Sequence, residues 1–260
     1  MSDALRFEWV RLRTVRSTYW LLGMALLLNA LIALAIGLAT RSEESRGFEV
    51  DGLLLTGATQ FVPLPFAAVF AGIIGVLSVG HEYRHGTIRP TLTALPHRSV
   101  LVAAKLAVVT AVGALLAVAS VALNWLVGLL ARGEPPSLTG GATAAALVGY
   151  VVFVALWALL GAGATLLVRN VIGVIVALLV LPLIVEPLLS ALSNVPALDW
   201  LQPIVRYLPF GAGSRMVATV DLSDFIGGEQ LGRVASGLVF AGLVALVLVP
   251  AWVLFERRDA

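Results

Sequence analysis

Side chains able to bind something polar are concentrated between His81 and Lys105. Glu82, Arg84, Arg89, Arg98 and Lys105 fall there, with His81, His85 and His97 beside them. The imidazoles lack the spacing of a metal-ligand set and read as loop residues. Glu43 and Glu44 are adjacent carboxylates, but they lie in a polar loop with no intramembrane histidine partner. No Ser/His/Asp set and no pair of carboxylates inside an apolar run supports hydrolysis, so a membrane protease is set aside. The chemistry left for the 81–105 stretch is polar contact, either with a partner's surface or with lipid headgroups.

Few other polar residues interrupt the apolar sequence. Glu186 stands alone in a run from 170 to 198. A charge in such a place costs at least ~2.5 kcal/mol and marks a functional or structural site. It lies 16 residues after Asn170, about 24 Å along a helix. That depth is near the outer surface and favours an ion pair with Arg206 or Arg215 over a proton relay. Asn29, Gln60, Asn124 and Trp125 either line a path for cargo or bond neighbouring helices, the second being the commoner use of such residues.

The elements that carry these residues are membrane spans. Of 260 residues, 60% are apolar and 12% charged, and the mean hydropathy is +0.99. A soluble domain has about twice that charged fraction. Charge-free runs at 19–40, 52–80, 106–131, 135–168 and 234–255 each exceed the ~20 residues that cross a bilayer. With 170–193, which Glu186 interrupts, they predict an all-α polytopic protein of six transmembrane helices, at about 19–40, 58–80, 100–131, 142–168, 170–193 and 234–255. All 260 residues then form one transmembrane domain. In the second span Pro63 and Pro65 place the helix start near Pro65, leaving 52–62 as a short outer segment. Arg169 and Asn170 alone separate the fourth and fifth spans, which predicts a tight helical hairpin. No internal repeat is visible, unlike inverted-repeat transporters.

The flanks set orientation and surface elements. The first apolar run is too long for a signal-peptide core, so it is read as a retained span. Six spans put both termini on one side. With that side cytoplasmic, eleven of the seventeen basic residues fall inside and six outside, which favours N-in, C-in. Residues 2–17 predict an interfacial helix with Leu5, Trp9 and Leu12 on one face, Phe7 and Val10 off it, and arginines reaching headgroups. The other reading is a plain extension of the first span. The loop 194–233 carries Trp200, Tyr207 and Phe210 among prolines and glycines. It is either an ordinary outer loop or a set of short helices dipping into the outer leaflet. The basic face suits a membrane surface, not a nucleic acid. With no cysteine, disulfides and thiolate chemistry are excluded.

The 81–99 loop has its own helical grammar. Gly86 ends the second span, Thr87 caps a new helix, and Pro90 is tolerated in its first turn. Ile88, Leu92 and Leu95 make a narrow apolar stripe, Pro96 ends the helix, and Ser99 caps the third span. This arrangement resembles the ABC type-2 permease family, the membrane subunits of ATP-driven exporters. The residues that carry the resemblance are Glu82, Gly86-Thr87, Leu92, Leu95, Pro96-His97-Arg98 and Lys105, with Phe255-Glu-Arg-Arg-Asp259 at the end of the chain. The resemblance implies that 82–98 is a coupling helix docking on a nucleotide-binding subunit. Glu82, Arg84, Arg89 and Arg98 would make polar contacts, Ile88, Leu92 and Leu95 would fill a groove, and Gly86, Thr87 and Pro96 would set the ends.

No G-x-x-x-x-G-K-[ST] phosphate loop occurs in the chain. The expectation is a non-enzymatic subunit that binds no cofactor or metal of its own. ATP and Mg²⁺ belong to two copies of a partner ABC ATPase, and a second permease copy completes a homodimer or heterodimer in a bacterial plasma membrane. The sparsely polar bundle favours an amphiphilic, drug-like or lipid-like export substrate. A non-transporting assembly or regulatory subunit and an ion-coupled secondary transporter are the competing classes.

Overall fold

The computed structural model describes residues 2–42, 47–58, 64–85, 98–140, 142–219 and 231–257. Helices α1 (Ser2–Thr14), α2 (Arg16–Ala39), α3 (Phe48–Thr56) and α4 (Phe66–His85) come first. Next come α5 (Arg98–Arg132), α6 (Thr143–Val168) and α7 (Val171–Val180), which runs through a π-helical turn (Leu181–Val185) into α8 (Glu186–Leu192). A 3₁₀ turn (Pro196–Leu201), α9 (Gln202–Val205), α10 (Pro209–Arg215) and α11 (Arg233–Arg257) follow. No strand occurs among the described residues. Among the described residues six segments are long and apolar enough to cross a membrane: α2, most of α4, α5, α6, the α7–α8 run and α11. The protein is an all-α polytopic membrane protein.

The second span's helix starts at Phe66, just after Pro65, and residues 48–56 form a separate helix before it. Ser99, expected as a cap, lies inside the first turn of α5, which begins at Arg98. The 35 residues of α5 make a rod of about 52 Å, well beyond the ~30 Å of hydrocarbon.

Helices α4 and α6 form the centre. Of their most apolar windows, 61% and 56% of residues are buried, against 22% for α2, α7–α8 and α11. They meet backbone to backbone. A Cβ on Gly75 would lie 2.1 Å from the Ala158 carbonyl oxygen, and one on Gly161 2.1 Å from that of Gly72. Without such small residues α4 could not approach α6 this closely, and van der Waals contact is what holds helices together where lipid competes for apolar surface. Helices α5 and α11 pack against other sides of α6, and α2 packs against α5.

Two junctions follow from local sequence. Arg169 takes the left-handed conformation (φ 57°), and Asn170 caps α7 by accepting the Gly173 N–H at 3.0 Å. The two-residue hairpin therefore needs no glycine. The Arg169 guanidinium lies 5.1 Å from the centre of the Tyr83 ring on α4.

The 194–219 stretch forms short helices that pack against the bundle. Phe210 packs with its ring centre 5.4 Å from Trp157 and 6.0 Å from Phe240, and Phe153 and Phe240 are 5.2 Å apart. Phe240 lies seven residues into α11, about 10 Å from its start. Residues 220–230 of the expected loop lie outside the described residues.

The N-terminal helix splits the stripe expected to lie on the membrane surface: Trp9 is exposed, while Leu12 is buried and Leu5 packs against the core. Its buried residues are Ala4, Glu8 and Leu12, while Trp9, Phe7 and Val10 are exposed. The stripe of Leu5, Trp9 and Leu12 counted apolar residues alone. The true inward face centres on a carboxylate, because the bundle offers it a cation.

Candidate functional site

That cation is Lys105. It lies two turns into α5, is 2% exposed, and is the only lysine in the chain. Its ammonium donates to Glu8 Oε1 and Oε2 at 2.9 and 3.0 Å, and to Glu82 Oε1 at 2.9 Å. The Ser78 carbonyl oxygen lies 3.4 Å away. Arg11 completes the group: its guanidinium donates to Glu82 Oε1 and to the Ser78 carbonyl oxygen, and its Nη1 lies 3.5 Å from Glu8. Two carboxylates and two cations thus share one buried place, with no net charge.

Burying such charges costs several kcal/mol each, so the network persists only because every member is bonded. The compact ammonium of lysine suits the centre, since three N–H groups can serve oxygens from three directions. The Ser78 hydroxyl is itself satisfied, donating to the Gly75 carbonyl at 2.7 Å.

Glu82 was expected to offer polar contact to a partner. It is 4% exposed and its carboxylate is engaged by Lys105 and Arg11 within the chain. Arg84 lies in the last turn of α4 and Arg98 opens α5. Gly86, Thr87, Ile88, Arg89, Leu92, Leu95, Pro96 and His97 lie outside the described residues, as does Gln60. Glu82 and Lys105 therefore mark the two stalks that enter and leave the 86–97 segment, and the structure ties one to the other.

Nothing in apolar periodicity revealed Glu8 or Arg11. The available signal was charge: Glu8 is an acid on the face of α1 shared by Ala4 and Leu12, with Arg11 one turn further on.

A second polar group brings Asn29 and Asn124 together around Gly57. Both are fully buried. The Asn29 amide donates to the Ala25 carbonyl at 2.8 Å, and the Asn124 amide donates to the Leu55 carbonyl at 3.0 Å. Asn124 thereby satisfies the end of α3, whose last carbonyls have no helical partner. Trp125 is half-buried beside Leu54 and Leu55. Asn124 thus bonds a neighbouring helix, whereas the Asn29 amide bonds back within α2.

Glu186 stands apart from both groups. It was expected to pair with Arg206 or Arg215. Its Oε1 instead accepts the Phe210 N–H at 3.0 Å, and its Oε2 accepts the Gly211 N–H at 2.6 Å. It thus caps the first turn of α10, whose free amides favour a negative charge. Arg215 acts on it only through charge. Burial pulls the Arg215 guanidinium below its ordinary value, and Glu186 pulls it back up. Its Nη1 donates to the Arg206 carbonyl at 2.8 Å.

The sequence matches the family model described as "ABC-2 family transporter protein" over residues 4–193. The match runs from α1 to the end of α8 and takes in the Glu8–Glu82–Lys105 network. No curated protein matches the chain.

Proposed function

The chain belongs to the ABC-2 transporter family, and from that premise we propose that it is the permease subunit of an ATP-driven exporter. It forms the translocation path, and a separate ABC ATPase, present in two copies, supplies the hydrolysis with ATP and Mg²⁺. A second permease copy completes the assembly, in a bacterial plasma membrane with both termini in the cytoplasm. The carrying observation is the family match across seven-tenths of the chain. The lack of a phosphate loop supports the need for an ATPase chain.

Coupling rests on the 82–98 segment. Glu82, Arg84 and Arg98 stand on its two stalks, Arg89 supplies a further polar contact, and Ile88, Leu92 and Leu95 supply the apolar side. Closure of the ATPase dimer shifts the permease between two states to the extent that the dimer binds one of them more tightly. An amphiphilic cargo fits a bundle whose buried Asn29 and Asn124 amides already donate to backbone carbonyls.

The test is copurification of the membrane protein with its ATPase, followed by ATP-dependent uptake of a fluorescent amphiphile into inside-out vesicles. Leu92→Asp is expected to weaken copurification while the permease stays inserted. An unchanged yield of ATPase in that variant would remove the docking assignment. Transport driven by a proton gradient with no ATPase present would overturn the whole reading.

A further inference from the structure

We propose that Arg206 and Arg215 hold the phosphate of a membrane phospholipid, in the leaflet opposite the Arg169–Asn170 turn. The proposal goes beyond the permease reading and needs only the membrane spans.

Glu186 leaves both arginines without a carboxylate. Its two oxygens are taken by the Phe210 and Gly211 amides, and neither guanidinium forms an ion pair among the described residues. Arg206 is the barer of the two. Its Nε is buried with no hydrogen-bond partner, and its guanidinium lies 5.2 Å from the centre of the Tyr207 ring. Arg215 uses one nitrogen, Nη1, on the Arg206 carbonyl at 2.8 Å. That bond brings the second guanidinium against the backbone that carries the first.

Both side chains are partly buried, and arginine cannot shed its proton to escape burial. Burial lowers the Arg215 pKa most. Glu186 raises it, and Arg206 lowers it again as a like charge. An anion bound to both arginines relieves the burial and the repulsion together. Two guanidiniums and the Glu186 carboxylate leave one net positive charge, which a phosphodiester neutralises. The one acid between 194 and 219 is Asp199, which is exposed and accepts from the Gln202 amide at 3.4 Å.

Position decides which anion. Glu186 lies 16 residues beyond Asn170, about 24 Å along the span, so α10 starts close to one surface of the ~30 Å of hydrocarbon. Lipid phosphates lie at that level. The planar guanidinium fork matches two oxygens of a phosphate. The same stretch exposes Trp200, Ile204 and Tyr207, at 64%, 52% and 53%. Trp and Tyr favour the headgroup level of a bilayer, and an apolar rim suits a phosphate that carries acyl chains over a free ion.

The test is native mass spectrometry of the purified full-length chain. Its micelles are doped with dioleoylphosphatidylglycerol or with dioleoylglycerol, which lacks the phosphate. The chain should retain the phospholipid at least about tenfold more strongly, the worth of one hydrogen bond to a charged group. Arg206→Gln removes no hydrogen bond made by that side chain within the protein, so the native fold is kept. It should lower phosphatidylglycerol retention by a similar factor, and adding Arg215→Gln should abolish the preference. Arg13→Gln removes an equal charge from an exposed position on α1 and should leave the preference intact. Equal retention of the two lipids overturns the proposal, as does full retention in Arg206→Gln or an equal loss in Arg13→Gln. Inorganic phosphate at millimolar concentration should leave the bound phosphatidylglycerol in place. Its displacement would give the site to free phosphate and overturn the lipid assignment.

Discussion

Two kinds of donor hold the buried carboxylates of this protein, and the difference has consequences for substitution. Glu8 and Glu82 are neutralised by the side chains of Lys105 and Arg11. Glu186 is held by the backbone amides of Phe210 and Gly211, which any substitution there other than proline leaves in place. Glu186→Ala deletes both bonds at once. Each hydrogen bond to a charged group contributes about 1.5–3 kcal/mol, so α10 should loosen from the bundle. Limited proteolysis should then cut within 194–219 in the variant under conditions where the unmodified protein resists. Gly57 is a second sensitive point. Its φ is +65°, and a Cβ there would lie 2.5 Å from Asn29 Oδ1. Gly57→Ala should lower the thermal midpoint in detergent, at a cost of roughly 1–3 kcal/mol. Neither prediction follows from the one-dimensional order of residues. Glu186 was recognisable as a buried charge, but its partner was sought among arginines. Backbone amides at a helix start carry no sequence signal of their own.

At the scale of elements, the junctions were more legible than the faces. Arg169-Asn170 was readable as a tight turn because it is the only polar break between two apolar runs. The structure adds that Asn170 caps α7, so Asn170→Ala should cost about 1 kcal/mol; equilibrium unfolding in mixed micelles would measure it. A midpoint unchanged in that variant would show the turn to be held by α4 and α6 instead. Pro65 correctly announced the start of α4, for a steric reason that acts on adjacent residues. The face of α1 was not legible. Periodicity joins Leu5, Trp9 and Leu12 in one stripe for the membrane surface, yet Leu12 is buried beside Ala4 and Glu8 while Trp9 is exposed. The buried face is set by Glu8, whose carboxylate needs the Lys105 ammonium.

The whole molecule is organised around α6, whose buried face carries Tyr150, Phe153, Trp157, Ala158 and Gly161. Close contact with α4 depends on the absence of side chains at Gly75 and Gly161, so Gly161→Leu should prevent the native bundle from forming. The readout is loss of monodisperse protein in gel filtration after extraction. A monodisperse, ATPase-binding variant would mean that α4 and α6 need not touch. The sequence by itself determined the class: spans long enough to cross a bilayer, an odd polar loop between the second and third, and the resemblance that the family match supports. These depend on local composition and length, which lipid reads without reference to the fold. Tertiary structure alone decided which polar residues meet. Glu8 and Lys105 are 97 residues apart in the chain and 2.9 Å apart in the bundle. Only packing of α1 against α5 brings the ammonium and the carboxylate together, and only burial makes their pairing obligatory.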